Sequence, residues 1–150
     1  MNILISRCLL GIACRYDGKD NFIMDFKKNF PQVNFIDICP ECDGGMKTPR
    51  LPCEIKNSKV FNKKGEDMTK FFLKGRDVAL KKARDFFCPV GILKEKSPSC
   101  GSNFIYDGNF SGNLIKKSGI TGDALKKKGL IIFSENNLEE FEKYLKNMGI

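Results

Sequence analysis

The sequence predicts a single α/β domain built on a mainly parallel sheet. Three observations carry that expectation. Short continuous apolar runs, "NILIS", "VNFIDI", "PVGILK" and "LIIFS", read as buried strands. Segments of helical period separate them, the alternation that gives crossover connections. The chain's 150 residues suffice for one core burying about two-thirds of the unfolded surface.

The elements follow in order. "MNILIS" is the first strand. "YDGKD" signals a turn, and residues 21–30 carry Phe22, Ile23, Phe26 and Phe30 at helical spacing, closed by Pro31. "VNFIDI" (33–38) is the second strand. Residues 39–54, heavy in Cys, Pro and Gly, read as a loop, and "KVFNKKGED" as a small extended excursion turning at Gly65. Residues 68–87 predict a long amphipathic helix capped by Asp67, with Phe71, Phe72, Val78, Ala79, Ala83, Phe86 and Phe87 inward. "PVGILK" is the third strand, Pro89 being tolerated at its first position. A long loop with "YDG" and "FSG" turns precedes a basic helix over 121–128 that stops at Gly129. "LIIFS" is the fourth strand, and 138–148 closes the chain as an amphipathic helix with Phe141, Leu145 and Met148 inward. The result is a Rossmann- or flavodoxin-like three-layer domain over residues 1–150 with helices on both faces.

Composition narrows the chemistry. Seven cysteines and no histidine exclude Ser-His and Cys-His nucleophiles and imidazole metal ligands. An odd thiol count in a chain of this size argues for metal or thiol chemistry over a disulfide framework. The formal charge of +8 invites nucleic acid as a partner, but the lysines are scattered in pairs, and a solvated surface outweighs that reading. No apolar run approaches the roughly 18 residues of a membrane span, and "NILIS" is too short for a secretory signal. A cytoplasmic protein without a membrane partner is expected.

The cysteines have a pattern. Cys8 follows the first strand, Cys39 ends the second, and Cys100 lies just past the third. In an open parallel sheet the strand C-termini line one ligand-binding edge, so these thiols should meet there. Soft thiolates without histidine suit an iron–sulfur cluster. With only three ligands, a four-iron cluster keeps one open iron site, able to act as a Lewis acid or capture sulfur. In "CPEC", Cys42 repeats the spacing of zinc and redox motifs, but no second pair exists, and Pro40, Gly44 and Gly45 argue against a helix opening there. Cys14 and Cys42 stand as further ligand candidates, Cys53 as lining or filler, Cys88 as core. In "LKEKSPSCGS", Pro98 stiffens the loop, Gly101 allows close approach to a bulky inorganic group, and the Ser97 and Ser99 hydroxyls can donate to sulfide or substrate. The bland alternative is an ordinary Ser-Pro turn. Glu41 beside the rim offers a base; Asp17, Glu54 and Asp107 are weaker candidates. Arg50 would clamp a planar substrate or pair with Glu54. Tyr106, Phe110 and Ser111 would form a wall or lid.

Taken together, "SRCLLGIACRYDG", "ICPECDGGMKTPRLPCEI", "LKEKSPSCGS", "IYDGNFSG" and "GLIIFSE" resemble, in this order, the thiouracil desulfidases, a bacterial family once labelled a domain of unknown function. The resemblance covers almost the whole chain. It implies an oxygen-sensitive [4Fe-4S] cluster held by Cys8, Cys39 and Cys100, one iron remaining open. Aerobic preparations would then lose it, or hold zinc or a disulfide instead. It also implies conversion of the thiocarbonyl of a thiolated pyrimidine such as 2-thiouracil to carbonyl, with release of sulfide. By motif position Glu41 and Ser97 are the catalytic pair, and Cys14 falls on a motif cysteine. Cys42, Cys53, Met46 and Lys47 depart from the usual pattern. The competing expectation is a non-catalytic cysteine-ligated metal, sulfide or nucleotide-binding module serving tRNA thiolation, with a structural zinc domain third.

Overall fold

The computed structural model describes residues 1–150. Strand β1 (Asn2–Ser6) runs into a 3₁₀ turn at Arg7–Leu10. A single helical turn α1 (Phe26–Asn29) leads to β2 (Asn34–Ile38) and a second such turn, α2 (Pro40–Asp43). A hairpin of β3 (Cys53–Lys56) and β4 (Lys59–Asn62) precedes the long helix α3 (Thr69–Asp85) and β5 (Val90–Leu93). A second hairpin, β6 (Phe104–Tyr106) and β7 (Leu114–Lys116), is followed by α4 (Ile120–Lys127), β8 (Ile131–Ser134) and α5 (Leu138–Asn147).

The expected α/β architecture is present. Four strands pair in parallel in the order β2-β1-β5-β8, with Ile3 opposite both Phe35 and Val90. Ile3, Leu4 and Ile5 are wholly buried, as a central parallel strand covered on both faces requires. Period-two alternation sorts the core. Ile3, Ile5, Phe35 and Ile92 meet Phe26 of α1 and Phe141 and Leu145 of α5 on one face. Leu4, Ile38 and Leu93 meet Ala79 and Ala83 of α3 and Leu125 of α4 on the other. The hairpins cover a third apolar cluster around Phe72, Val60 and Ile105.

Several local expectations are corrected. The helix expected over 21–30 shrinks to one turn, because Asp25, in extended backbone, is the cap and its carboxylate takes the Lys28 amide, starting the helix only at Phe26. Phe22 and Ile23 lie before that cap and stay exposed. The CPEC stretch does open a helical turn, with Pro40 at its first position, where a missing N–H costs nothing. It packs backbone to backbone on α3: a Cβ at Gly44 would strike the Phe71 carbonyl, and one at Gly75 the Pro40 carbonyl. The extended excursion begins earlier than expected and turns at Asn57–Ser58, both at positive φ, with a further turn at Gly65. The loop after β5 contains the β6–β7 hairpin. Phe86 and Phe87 lie beyond the end of α3 and are exposed, as is Met148.

Candidate active site at the carboxyl edge of the sheet

The strand ends of β1, β2 and β5 open into a cleft of ≈ 500 Å³ lined by Cys8, Cys39 and Cys100. Local structure places each thiol. Cys8 rides the 3₁₀ turn after β1, Cys39 caps α2, and Cys100 sits in the loop 97–101, whose Gly101 amide donates back to the Ser97 carbonyl at 2.8 Å. The N-terminus of α4 supports that loop from behind, the Thr121 and Gly122 amides donating to the Ser99 carbonyl.

Cys14 also lines the cleft and lies between Cys8 and Cys39. Its hydrogen bonds lower the Cys39 thiol to about 6 and lower Cys8 as well, while its own thiol is pushed up. Burial pushes up Cys100, which feels both Cys8 and Cys39. Cys53 lines the cleft, raised to about 12 by burial. Cys42 lies outside it, against the Thr48 hydroxyl at 3.4 Å. Cys88 is a core residue, raised by burial to about 11.

This donor set fits an iron–sulfur cluster. Two of the three thiols lean toward thiolate, and all three border one cleft. No group of three Cys, Asp or Glu side chains is close enough to grip a single metal ion. Ligands of one zinc, with bonds of about 2.3 Å, would have to crowd together, whereas a cluster distributes its thiolates over separate irons.

The polar wall is a directed chain. Arg50 Nε donates to Glu41 Oε1 at 3.1 Å, and the Ser99 hydroxyl donates to Glu41 Oε2 at 3.0 Å. Ser97 and Ser99 hydroxyls are 2.9 Å apart. Since the single Ser99 proton goes to Glu41, Ser97 is the donor in that pair. Ser97 Oγ in turn accepts the Ser99 and Cys100 amides at 3.1 and 3.0 Å. Arg50 pairs with Glu41, not with Glu54. Its other nitrogens hold the Cys14 carbonyl at 2.9 Å and Thr48 Oγ1 at 3.0 Å, so it has no free fork for a substrate.

The remaining candidates divide. Glu54, Tyr106 and Phe110 line the cleft. Asp17 pairs with Arg15, and Asp107 holds its own turn through Asn109 and Ser111; none of Asp17, Asp107 and Ser111 borders the cleft. Gly101 does not border it either. A Cβ there would meet the Ser97 carbonyl at 2.6 Å and Ile105 at 2.9 Å, so its small size serves the loop's own packing rather than approach to an inorganic group.

Two supports escape sequence reasoning. Arg7 bonds Asp37 at 2.5 Å and Asp43 at 3.0 Å, and Asp43 accepts the Cys39 amide at 3.1 Å, tying the turns that carry Cys8 and Cys39. Glu95, buried, accepts the amides of Ser102, Asn103 and Phe104. For Asp37 a signal was present, an acid set between apolar Ile36 and Ile38; Glu95, between two lysines, carried none.

A parallel sheet with this cysteine-lined edge has relatives. Residues 3–137 match the 2-thiouracil desulfurase family. The uncharacterized protein YbbK of Bacillus subtilis (strain 168) is 40% identical over 148 residues, covering 92% of this chain and 98% of the relative. A solved structure described as a [4Fe-4S]-dependent thiouracil desulfidase, TudS, superposes with a TM-score of 0.89 at 36% identity, covering 97% of both chains. No helix is long and apolar enough to cross a membrane. Sequence, fold and cysteine placement converge, and the chain belongs to the 2-thiouracil desulfurase family.

Proposed function

We propose that this protein removes sulfur from a thiolated pyrimidine such as 2-thiouracil, exchanging thiocarbonyl for carbonyl. The observation that carries this reading is the Ser97–Ser99–Glu41 line set beside three convergent thiols in one cleft. Cys8, Cys39 and Cys100 would hold a [4Fe-4S] cluster, which supplies a Lewis-acidic, sulfur-seeking centre when bound. Cys14 then serves as a hydrogen-bonding neighbour of two ligands rather than a ligand itself.

The chain's own residues handle the protons. Glu41, fixed by Arg50, takes a proton from the attacking water. In the resting state the line points from Ser97 through Ser99 to Glu41. Once protonated, Glu41 donates to Ser99 Oγ instead, the Ser99 proton turns to the Cys100 sulfur at 3.9 Å, and the Ser97 hydroxyl is released to donate to the substrate ring. The two amides held by Ser97 Oγ withdraw density from it and make it the better donor. Overall, thiocarbonyl and water become carbonyl and hydrogen sulfide. No oxidation state changes, so no reductant is called for.

Anaerobic cluster reconstitution followed by loss of the thione absorbance of 2-thiouracil is the direct assay. Glu41→Gln should keep the cluster's visible absorbance and lower kcat by about 10²-fold or more. An intact cluster with no wild-type turnover rejects the reading.

A further inference from the structure

Three carboxylates border the cleft, Glu41, Glu54 and Glu95, and their bonding differs. Glu41 has one oxygen on Arg50 and the other on Ser99. Glu95 has Oε1 on three amides and Oε2 on the Ser102 hydroxyl and the Asn103 side chain. Glu54 is used on one side only. Its Oε1 accepts the amides of Gly108 at 3.0 Å and Phe110 at 3.1 Å. Its Oε2 has no partner in the protein, and it is not among the sealed-in polar atoms, of which Thr121 Oγ1 is the single case.

The two amides fix the carboxylate plane, so the open oxygen is a preset acceptor rather than a wandering one. A thiolated pyrimidine carries ring N–H groups beside its thiocarbonyl, and an N–H taken into a cleft needs an acceptor. With Glu95 saturated by five donors and Glu41 given over to the attacking water, we infer that the open oxygen of Glu54 in this cleft accepts a ring N–H of the substrate and so selects lactam-type heterocycles. This rests on the desulfidase reading and makes Glu54 its specificity-determining residue. The same clamp holds the backbone beneath Phe110, which with Tyr106 lines the cleft, so recognition and the aromatic wall are fixed by one side chain. Close approach of this loop is built in. A Cβ at Gly108 would collide with the Ile55 carbonyl, and its φ is +94°.

The substitution Glu54→Gln separates recognition from loop support. The Oε1 position must remain oxygen, because two N–H donors face it. The amide nitrogen of glutamine is therefore forced into the open position, where a donor meets a donor. The probes are uracil, 1-methyluracil and 3-methyluracil, titrated calorimetrically into cluster-loaded protein. In the wild type, methylation of one ring nitrogen should weaken binding at least about tenfold. In E54Q that penalty should fall below about threefold, because the N–H no longer has its acceptor. A purely structural Glu54 would lower all three affinities together and leave the penalty intact.

Should E54Q not fold, Glu54→Asp carries the same cycle, since the shorter acid withdraws the acceptor while keeping its charge. An unchanged penalty, wild-type indifference to methylation at both nitrogens, or no uracil binding overturns the inference. Turnover of 2-thiouracil, measured on the same preparations, keeps the two ideas apart. Turnover with an unchanged penalty rejects Glu54 alone. A penalty that vanishes in E54Q without any turnover rejects the desulfidase and leaves a pyrimidine-binding site.

Discussion

Ser99 shows how one hydroxyl can matter without meeting the substrate. It is buried, donates to Glu41 at 3.0 Å and stands 2.9 Å from Ser97. Removing it cuts the line but leaves Glu41 held by Arg50 and Ser97 held by two amides. Ser99→Ala should therefore lower kcat on 2-thiouracil by about 10²-fold with KM changed less than about threefold, and Ser99→Thr should restore most of it. Steady-state kinetics of the three proteins decide this; a loss shared between KM and cluster content would instead make Ser99 a packing residue. At this scale the sequence was partly legible. "SPSCGS" and "CPEC" marked the site because thiols and small residues seldom gather in a stiff loop by chance. The partner choices were not legible. Arg50 could face Glu41 or Glu54, lying 9 and 4 residues away, and the fold decides for Glu41 by tying Arg50 to the carbonyls of Tyr16 and Cys14.

Between residues and the whole molecule, the loop 94–104 depends on one buried acid. Glu95 gathers the amides of Ser102, Asn103 and Phe104 and thereby shapes the segment that carries Ser97, Ser99 and Cys100. Burial alone would raise its pKa, but these amides outweigh burial, and the carboxyl sits below its usual 4.5. A depressed pKa means stability that is full above the unfolded value and is lost as pH falls through the folded one. Glu95→Gln should cost on the order of 2–3 kcal/mol at neutral pH, the scale of charge-assisted bonds to a buried acceptor. The gap between wild type and variant should narrow as pH drops below about 4.5. Denaturant melts at pH 7 and pH 3.5 measure both quantities; a gap that is constant with pH would mean that the charge on Glu95 does not hold the loop. The four strands of the parallel sheet and the helices α3, α4 and α5 were read correctly from sequence, since burial enforces their apolar runs and helical spacing. The single turn α1, the turn α2 and the two hairpins were misread because local bonds set them: Asp25 takes the Lys28 amide, Asp43 the Cys39 amide, and the hairpins rest on backbone pairing over three or four residues. Such bonds leave no periodic trace.

For the molecule as a whole, the parallel order β2-β1-β5 places Cys39, Cys8 and Cys100 beyond three adjacent strand ends. They are separated along the chain by 31 residues from Cys8 to Cys39 and 61 from Cys39 to Cys100. Any group gripping all three cross-links segments that only the folded sheet brings together, so it binds the native state and adds its binding free energy to stability. The Arg7–Asp37–Asp43 clamp already ties two of these segments, and the third reaches them through the Glu41–Ser99 bond and, at its start, the Lys94 amide on the Ser6 hydroxyl. The gain from the cluster should therefore concentrate in the 97–104 loop. Anaerobically reconstituted protein should melt above the chelator-stripped form by about 2–4 °C for each kcal/mol of binding free energy gained. Hydrogen exchange should slow most at the amides of 97–104 and least in α5, whose contacts lie on the far face around Phe30 and Phe133. Cys100→Ser should abolish the loop's added protection while leaving α5 unchanged. Uniform slowing across α5 and the loop would mean that the thiols do not act as a local cross-link, and the shared grip of Cys8, Cys39 and Cys100 would have to be given up.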